Sequence, residues 1–356
     1  MPPVQDLREL LERLGLDALY ITKPQNVRYL SGFPHPEDAE VLLTEEGAFL
    51  LTDPRYPEAE RESRLPAKVL KREEKAALLS GLRGRVGFEA AHLPYARLMA
   101  LREMAPVEWV PTEGAIEALR LKKAPEEVEA IRRAQALAER AFHHALTLLK
   151  PGVRERDVAL EIEYFLKKEG AEGAAFPPIV ASGVRGALPH AGASEKALEG
   201  GELVTLDLGA RVAGYASDMT RTVALGEVDG PLKEAFFAVL EALESALELI
   251  KPGVEAKAVD ARAREVLKAR GLDRYFVHSL GHGVGLEVHE APALSPYSGQ
   301  GPGPHLGLVL EPGMVVTVEP GVYLPGVGGV RIEELVLVTE GGIELLSTLP
   351  RGWQAL

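Results

Sequence analysis

Several residue types are scarce in this sequence, and each shortage excludes a class of protein or site. The chain contains no cysteine, so it offers no disulfide and no thiolate, and a metal ion must bind to oxygen and nitrogen atoms. Asn26 is its only asparagine, and such a shortage of thermolabile residues is typical of thermophilic proteins. The net charge is −13. We therefore expect no nucleic-acid partner, because phosphates require a basic surface.

Long hydrophobic runs are missing as well. No segment approaches the roughly 18 consecutive apolar residues that a membrane-spanning helix needs. The leucines of residues 4–14 recur at helical spacing among charges, which predicts an amphipathic helix and not a secretory signal. We expect a cytoplasmic protein with no membrane partner. Its 356 residues, 46% of them apolar, suffice for two packed domains.

A change of pattern divides the chain. In the first part helical and strand patterns alternate, and the apolar runs 41–43 and 48–51 flank a turn as paired strands would. Later, a long helical pattern begins with Pro125 followed by two glutamates, as helix N-termini often do. We expect an α/β domain over residues 1–122 and a second domain over residues 123–356.

The second domain contains an internal repeat. The Lys-Pro-Gly-Val sequence of residues 150–153 recurs at 251–254, and each copy lies between two helical patterns. A strand-like segment follows in each half, at residues 204–209 and 316–321. The period is too long, and the copies are too few, for a solenoid. We interpret the repeat as two related halves of one α+β domain, in which helices cover a shared sheet.

Four acidic residues occupy related positions in the two halves. Asp207 and Glu319 match within the repeated strands, and Asp218 and Glu333 follow them after glycine-containing intervals that suit hairpins. Any one such acid is more simply explained as a hydrogen-bonded structural charge. Together, however, the four carboxylates would repel one another in a semi-buried site unless cations compensated them.

His282, in the sequence Gly-His-Gly-Val-Gly, supplies one more ligand. The segment lacks the lysine and the following helix of a phosphate-binding loop. Four carboxylates and one imidazole suit manganese, cobalt, iron or zinc. Because two such ions can lower the pKa of a shared water, the set predicts a hydrolase with a dinuclear centre.

Further titratable residues flank the predicted centre. His278 and His289 lie on either side of His282, His190 occupies the equivalent of His289 in the first half, and Arg331 precedes Glu333 by two residues. A single histidine is more often structural than catalytic. Three histidines around one centre favour a functional role.

These motifs resemble those of the pita-bread metallopeptidases, in the aminopeptidase P and prolidase branch. The resemblance lies in residues 204–225, 278–292 and 311–334, and residues 26–33 and 52–56 are similar to its creatinase-type domain. It implies an N-terminal creatinase-like α/β domain followed by a pita-bread catalytic domain with a pseudo-twofold repeat. The metal ligands implied by it are Asp207, Asp218, His282, Glu319 and Glu333.

The resemblance implies a mechanism and partners. Glu319 would accept a proton from the attacking water, His190 and His289 would stabilise the tetrahedral intermediate, and His278 and Arg331 would shape the pocket. The residues implied to contact substrate are His190, Tyr215, His289 and Arg331. The implied substrates are dipeptides or short peptides with proline second, and the implied cofactors are two ions, Mn²⁺ or Co²⁺ before Zn²⁺ or Fe²⁺. Members of the branch are commonly homodimers.

Other readings remain open from the sequence. Dipeptidases of this branch often carry an arginine just after the His-Glu pair, whereas Glu290 is followed by Ala-Pro-Ala-Leu, so dipeptidase and aminopeptidase are equal alternatives. A non-catalytic binding protein on this fold and a metal-independent, creatinase-like hydrolase are further alternatives. The complete ligand set argues against both.

Overall fold

The computed structural model describes residues 4–297 and 308–356. The chain divides into two compact units, Met1–Arg120 and Leu121–Leu356, whereas the change of pattern along the sequence indicated a boundary after residue 122. Both units combine helices with sheets. In the described ranges no helix is both long and apolar enough to cross a membrane.

The first unit is built around a mixed sheet. Its strands are β1 (Ala18–Ile21), β2 (Glu40–Thr44), β3 (Gly47–Thr52), β4 (Ala67–Val69), β5 (Arg85–Glu89) and β6 (Glu108–Thr112). Its helices are α1 (Val4–Leu14), α2 (Pro24–Ser31), α3 (Ala59–Glu62), α4 (Arg72–Ser80), α5 (Tyr95–Met104) and α6 (Glu117–Arg120). The strands lie in the order β4-β3-β2-β1-β5-β6. Antiparallel pairing joins β1, β2 and β3, and parallel pairing adds β4, β5 and β6.

Two local predictions for this unit are confirmed. The leucine pattern near the N-terminus forms α1, with Leu7, Leu10 and Leu11 buried. The two apolar runs form the antiparallel β2–β3 hairpin, in which Thr44 lies opposite Gly47. These elements follow from local spacing alone, which explains why the sequence predicts them well.

A buried carboxylate joins the end of β5 to the start of α2. One oxygen of Glu89 accepts the backbone amides of Thr22 and Lys23 at 2.6 and 2.7 Å, and the other accepts the Asn26 side-chain amide at 2.6 Å. Amides at the amino end of a helix have no partner within the helix. Glu89 thus replaces a conventional cap, and Asn26 belongs to a structural network.

The second unit carries long helices over short sheets. Its helices are α7 (Pro125–Leu148), α8 (Glu155–Lys168), α9 (Pro231–Leu249) and α10 (Ala256–Ala269). Its strands are β7 (Gly173–Ala174), β8 (Ile179–Ser182), β9 (Glu202–Leu208), β10 (Ala210–Val212), β11 (Tyr215–Ala216), β12 (Met219–Leu225), β13 (Gly281–Gly283), β14 (Glu290–Leu294), β15 (Val315–Val318), β16 (Gly321–Leu324), β17 (Gly328–Arg331), β18 (Glu334–Thr339) and β19 (Gly342–Leu345). The principal sheets have the orders β12-β9-β8 and β14-β13-β15-β18-β19.

The internal repeat appears in the structure as two helix pairs. Helices α8 and α10 begin and end at positions 101 residues apart, and each follows its copy of the Lys-Pro-Gly-Val turn. The long helices α7 and α9 bury equivalent small residues. These are Ala134, Ala141 and Ala145 in α7 and Ala235, Ala242 and Ala246 in α9, all of them at 0% exposure. Each pair packs in its own hydrophobic core against the strands of its half.

Each half also contains a pair of antiparallel strands that is interrupted in the same way. Strand β9 pairs with β12 in the first half, and β15 pairs with β18 in the second. The glycine-containing intervals that suit hairpins contain the short hairpins β10–β11 and β16–β17. The paired strands therefore separate where these hairpins are inserted. Side chains at these points of separation are not confined by a neighbouring strand and can face a common cavity.

The Glu89 network provides a test of the first unit. We expect Glu89→Gln to lower its free energy of unfolding by about 2–4 kcal/mol, because the NH₂ of the amide would face at least one N–H donor in a buried position, whichever way the amide is turned. The measurement is urea unfolding followed by Trp109 fluorescence in a Trp353→Phe background, which leaves one tryptophan, in this unit.

Glu108→Gln is the matched control, because Glu108 is exposed and its pairing with Arg85 is long, at 3.5 Å. It should leave the midpoint unchanged. Equal midpoints for the Glu89 and Glu108 variants would show that the network contributes no stability.

Candidate metal centre

The four predicted carboxylates lie where the paired strands separate. Asp207 is near the end of β9, and Asp218 immediately precedes its partner strand β12. Glu319 immediately follows β15, and Glu333 immediately precedes β18. The two halves of the repeat thus present their acids at equivalent points of the two strand pairs.

His282 lies on the short strand β13, which is confined between β14 and β15. A Cβ atom at Gly281 would overlap the Thr317 carbonyl, and one at Gly283 would overlap the Ala291 carbonyl. The glycines on either side of the histidine are therefore required by close approach of the neighbouring backbone. They bring the imidazole to the strand break beside Glu319.

The imidazole of His282 presents one nitrogen to the acids. Its Nδ1 lies 3.1 Å from the Gly283 carbonyl, which requires a proton on Nδ1, so that in the neutral ring Nε2 carries the lone pair. Nε2 lies 3.3 Å from Glu319 Oε1 and 3.7 Å from Asp218 Oδ2. Potential ligand atoms of Asp218, His282 and Glu333 lie within 4.8 Å of one another. This arrangement of nitrogen and oxygen donors fits a divalent cation.

Two carboxylates are each held by one oxygen only. Arg331 Nη2 donates to Asp207 Oδ2 at 2.6 Å, and the Thr220 hydroxyl donates to Glu333 Oε2 at 2.7 Å. The other oxygens, Asp207 Oδ1 and Glu333 Oε1, are buried and have no hydrogen-bond partner among the described residues. A buried carboxylate oxygen without a partner is costly. These two atoms are therefore the clearest sign that the site is built for cations.

The electrostatics of the site lead to the same conclusion. Burial, followed by repulsion from neighbouring acids, raises the pKa of Asp218 and of Glu333 well above their ordinary values. Burial also raises the pKa of Asp207, although Arg331 opposes the shift. Burial acts in the same direction on Glu319, but the hydrogen bond and charge of His282, together with the charges of His278 and Arg331, lower its pKa. The carboxylates can all be ionised together only if positive charge is added.

A cavity of about 480 Å³ opens over this group. It brings together all the predicted metal ligands, the three predicted histidines and Arg331, and Phe176, Ile179, Pro189 and Val288 give it apolar walls. The imidazole rings of His282 and His289 lie 4.2 Å apart. The full lining is Phe176, Ile179, Pro189, His190, Asp207, Asp218, His278, Ser279, Gly281, His282, Val288, His289, Ala293, Glu319, Arg331 and Glu333.

Tyr215 is the one predicted site residue outside this lining. It lies on β11, and its hydroxyl donates to Glu127 Oε1 of α7 at 2.8 Å. Tyr215 also packs with Ile131 and Val284 in a small apolar cluster. Tyr215 thus ties the hairpin before Asp218 to α7, and its position gives no basis for the expected contact with substrate.

Tyr323 and Thr220 are site residues that the sequence analysis missed. Tyr323 lies 2.8 Å from both His278 Nε2 and Arg331 Nη1 through its hydroxyl, and burial raises its pKa to about 12. Thr220 accepts Arg331 Nε at 3.2 Å and donates to Glu333. Their roles depend on pairing between distant strands. No local sequence pattern reveals such contacts.

Both parts of the chain are similar to known protein families. Residues 129–340 match the model of metallopeptidase family M24, and residues 3–122 match the creatinase/prolidase N-terminal domain. A curated Xaa-Pro dipeptidase from Pyrococcus horikoshii is 40% identical, with 98% of this chain and 97% of that protein covered.

Solved structures agree with this family assignment. An Xaa-Pro dipeptidase from Bacillus anthracis has a TM-score of 0.93 at 40% identity, with 99% of both chains covered. An X-Pro aminopeptidase from Thermotoga maritima has a TM-score of 0.88 at 36% identity, with 97% of this chain and 99% of that one covered. The fold is a creatinase-type N-terminal domain followed by a pita-bread domain. The matches span both domains, and this chain therefore belongs to metallopeptidase family M24 and is a metal-dependent peptidase.

Proposed function

We propose that this chain is an exopeptidase that hydrolyses the Xaa-Pro bond at the N-terminus of dipeptides or short peptides. The observation that carries the proposal is the pair of buried oxygens, one of Asp207 and one of Glu333, that have no hydrogen-bond partner in the described part of the chain and lie beside His282 in a cavity with further imidazoles. The names of the relatives, Xaa-Pro dipeptidase and X-Pro aminopeptidase, support the substrate class. A purely binding protein on this fold would have no use for these costly carboxylates.

The proposed cofactors are two divalent ions, Mn²⁺ or Co²⁺ before Zn²⁺ or Fe²⁺. The donors available are carboxylate oxygens and one imidazole, which all four metals accept. When bound, the ions would supply Lewis acidity, which polarises the scissile carbonyl and acidifies a water molecule. The residues proposed to hold them are Asp207, Asp218, His282, Glu319 and Glu333.

Glu319 is the proposed proton acceptor. Its Oε1 receives the Thr317 hydroxyl at 3.3 Å and faces His282. The lowered pKa of Glu319 keeps it ionised at neutral pH. An ionised carboxylate beside the reacting water can take its proton and pass it to the leaving proline nitrogen.

The histidines are proposed to act in two ways. Burial, followed by the charge of His282, lowers the pKa of His289, so His289 is neutral at neutral pH. A neutral imidazole can donate one hydrogen bond to the oxyanion. His190, which also lines the cavity, is proposed to stabilise the oxyanion together with His289. His278 instead uses both ring nitrogens on Ser279 and Tyr323. We therefore assign it, with Arg331, to shaping the pocket.

The walls of the cavity suit the substrate. Phe176, Ile179 and Val288 provide apolar surface on which a proline ring can pack. Ala293 also lines the cavity, in the segment where dipeptidases of this branch often carry an arginine. Dipeptides and longer peptides therefore both remain proposed substrates.

Further properties are proposed on other grounds. We propose a cytoplasmic homodimer from a thermophile, with its domain boundary after residue 122. The absence of cysteine and the single asparagine support the location and the source. The family model that ends at residue 122 supports the boundary, and the dimer rests on the resemblance to the branch.

The activity can be tested directly. A preparation stripped of metal should not hydrolyse Ala-Pro or Ala-Pro-Ala, and added Mn²⁺ or Co²⁺ should restore turnover, because the protein alone cannot acidify the water. Release of alanine is measured, with Ala-Ala as the control that should resist cleavage. Full turnover in excess chelator after exhaustive dialysis would contradict the proposal. Cleavage of Ala-Pro-Ala alone would select the aminopeptidase.

Thr220 provides a test of the metal centre without catalysis. Thr220→Val removes the hydroxyl that fixes Glu333 Oε2, and we expect Mn²⁺ affinity, measured by calorimetry, to fall by roughly 10–100-fold. Thr205→Val is the matched control, because the Thr205 hydroxyl bonds to Thr222 on the same strand pair and not to a carboxylate. Equal Mn²⁺ affinities for the Thr220 and Thr205 variants would contradict the assignment of Glu333 as a ligand.

A further inference from the structure

Two of the buried carboxylates that the proposed chemistry does not use lie in equivalent helices of the second unit. Glu155 lies at the start of α8 and Asp260 in α10, and both side chains belong to residues with 0% exposure. These helices occupy equivalent places in the two halves of the repeat. Each carboxylate is accompanied by an arginine, Arg185 for Glu155 and Arg264 for Asp260.

Glu155 binds both ends of one segment of chain, residues 182–194. Its Oε1 accepts the backbone amide and the hydroxyl of Ser182 at 2.8 and 2.9 Å. Its Oε2 accepts the backbone amide and the hydroxyl of Ser194 at 3.1 and 2.6 Å, together with Arg185 Nε at 2.9 Å. One carboxylate thus closes the segment into a loop with fixed ends.

The loop carries His190 into the cavity. Within it, Arg185 Nη2 donates to the Gly192 carbonyl at 2.6 Å, and Arg331 Nη1 donates to the Pro189 carbonyl at 3.1 Å. Arginines therefore hold the carbonyl directly before His190 and the carbonyl two residues after it. The exposed His190 imidazole itself forms no hydrogen bond with the described residues, so its position depends on the backbone that bears it.

We propose that Glu155, acting with Arg185, is a positioning residue for His190 in the reaction. It does not touch substrate, and it acts by fixing the loop from which the imidazole projects. This inference rests on the proposed function, in which His190 stabilises the tetrahedral intermediate. Misplacement of such a group by about 1 Å can cost on the order of a hundredfold in rate.

Asp260 provides the matched comparison. It accepts the Leu280 amide at 3.0 Å, and its partner Arg264 donates to the His278 carbonyl at 2.6 Å. The pair therefore holds the segment that carries His278. Because the His278 imidazole has its own contacts with Ser279 and Tyr323, this pair acts on a different part of the site.

A double-mutant cycle in the metal-loaded enzyme tests the proposal. Glu155→Gln keeps the shape of the side chain but turns an NH₂ group toward donors, and kcat/KM for Ala-Pro or Ala-Pro-Ala should fall on the order of ten- to a hundredfold. In a His190→Ala background the same substitution should change kcat/KM by less than about twofold, because its effect passes through His190. Asp260→Asn, in contrast, should change kcat/KM by the same factor with and without the His190 imidazole.

Two further measurements separate positioning from general damage. Mn²⁺ affinity by calorimetry should be unchanged in Glu155→Gln, and amide hydrogen exchange should accelerate within residues 182–194 only. If Glu155→Gln does not fold, Arg185→Met, at a half-buried site, carries the same expectations. The inference would be overturned if Glu155→Gln lowered kcat/KM by the same factor with and without His190, or if it lowered the affinity for Mn²⁺. An inactive wild type would instead overturn the proposed function.

Discussion

Four carboxylates converge in one buried cavity, and the strands and helices of the catalytic unit hold them there against their mutual repulsion. Their mutual repulsion and their removal from water favour the protonated form, so the pKa values of Asp218 and Glu333 are raised well above normal. Arg331 supplies one compensating positive charge, through its ion pair with Asp207. Two divalent ions would supply four more. A site that is unfavourable when empty is therefore a site with high affinity when filled.

The repeat explains how one chain assembles this convergence. Equivalent helix pairs cover equivalent strand pairs, and each strand pair opens at the point where a short hairpin leaves it. The acids stand at those openings. The two halves have since diverged in how they hold their histidine segments, with Glu155 at the start of α8 and Asp260 within α10. The repeated scaffold thus places the metal ligands symmetrically. The Glu155–Arg185 and Asp260–Arg264 pairs hold different segments, so the histidines around the cavity are placed asymmetrically.

The sequence predicts what depends on local spacing. Helix α1, the β2–β3 hairpin and the equivalence of α8 and α10 all follow from periodicity or from the repeat. The convergence of the acids also follows, because a repeat that aligns Asp207 with Glu319 aligns their environments. Contacts between distant strands do not follow, since Thr220 meets Glu333 across 113 residues. The contact of the Tyr215 hydroxyl with Glu127 of α7 is likewise a contact between distant residues, and the sequence, which places Tyr215 in the substrate pocket, does not reveal it.

The central claim is that these side chains hold a pair of cations. Anomalous diffraction at the manganese edge, from crystals grown with Mn²⁺, tests it most directly. If the side chains hold two ions, we expect two peaks about 3.5–4 Å apart, in contact with Asp207 Oδ1, Glu333 Oε1 and His282 Nε2. No anomalous peak among these atoms, at a Mn²⁺ concentration that supports turnover, would contradict it.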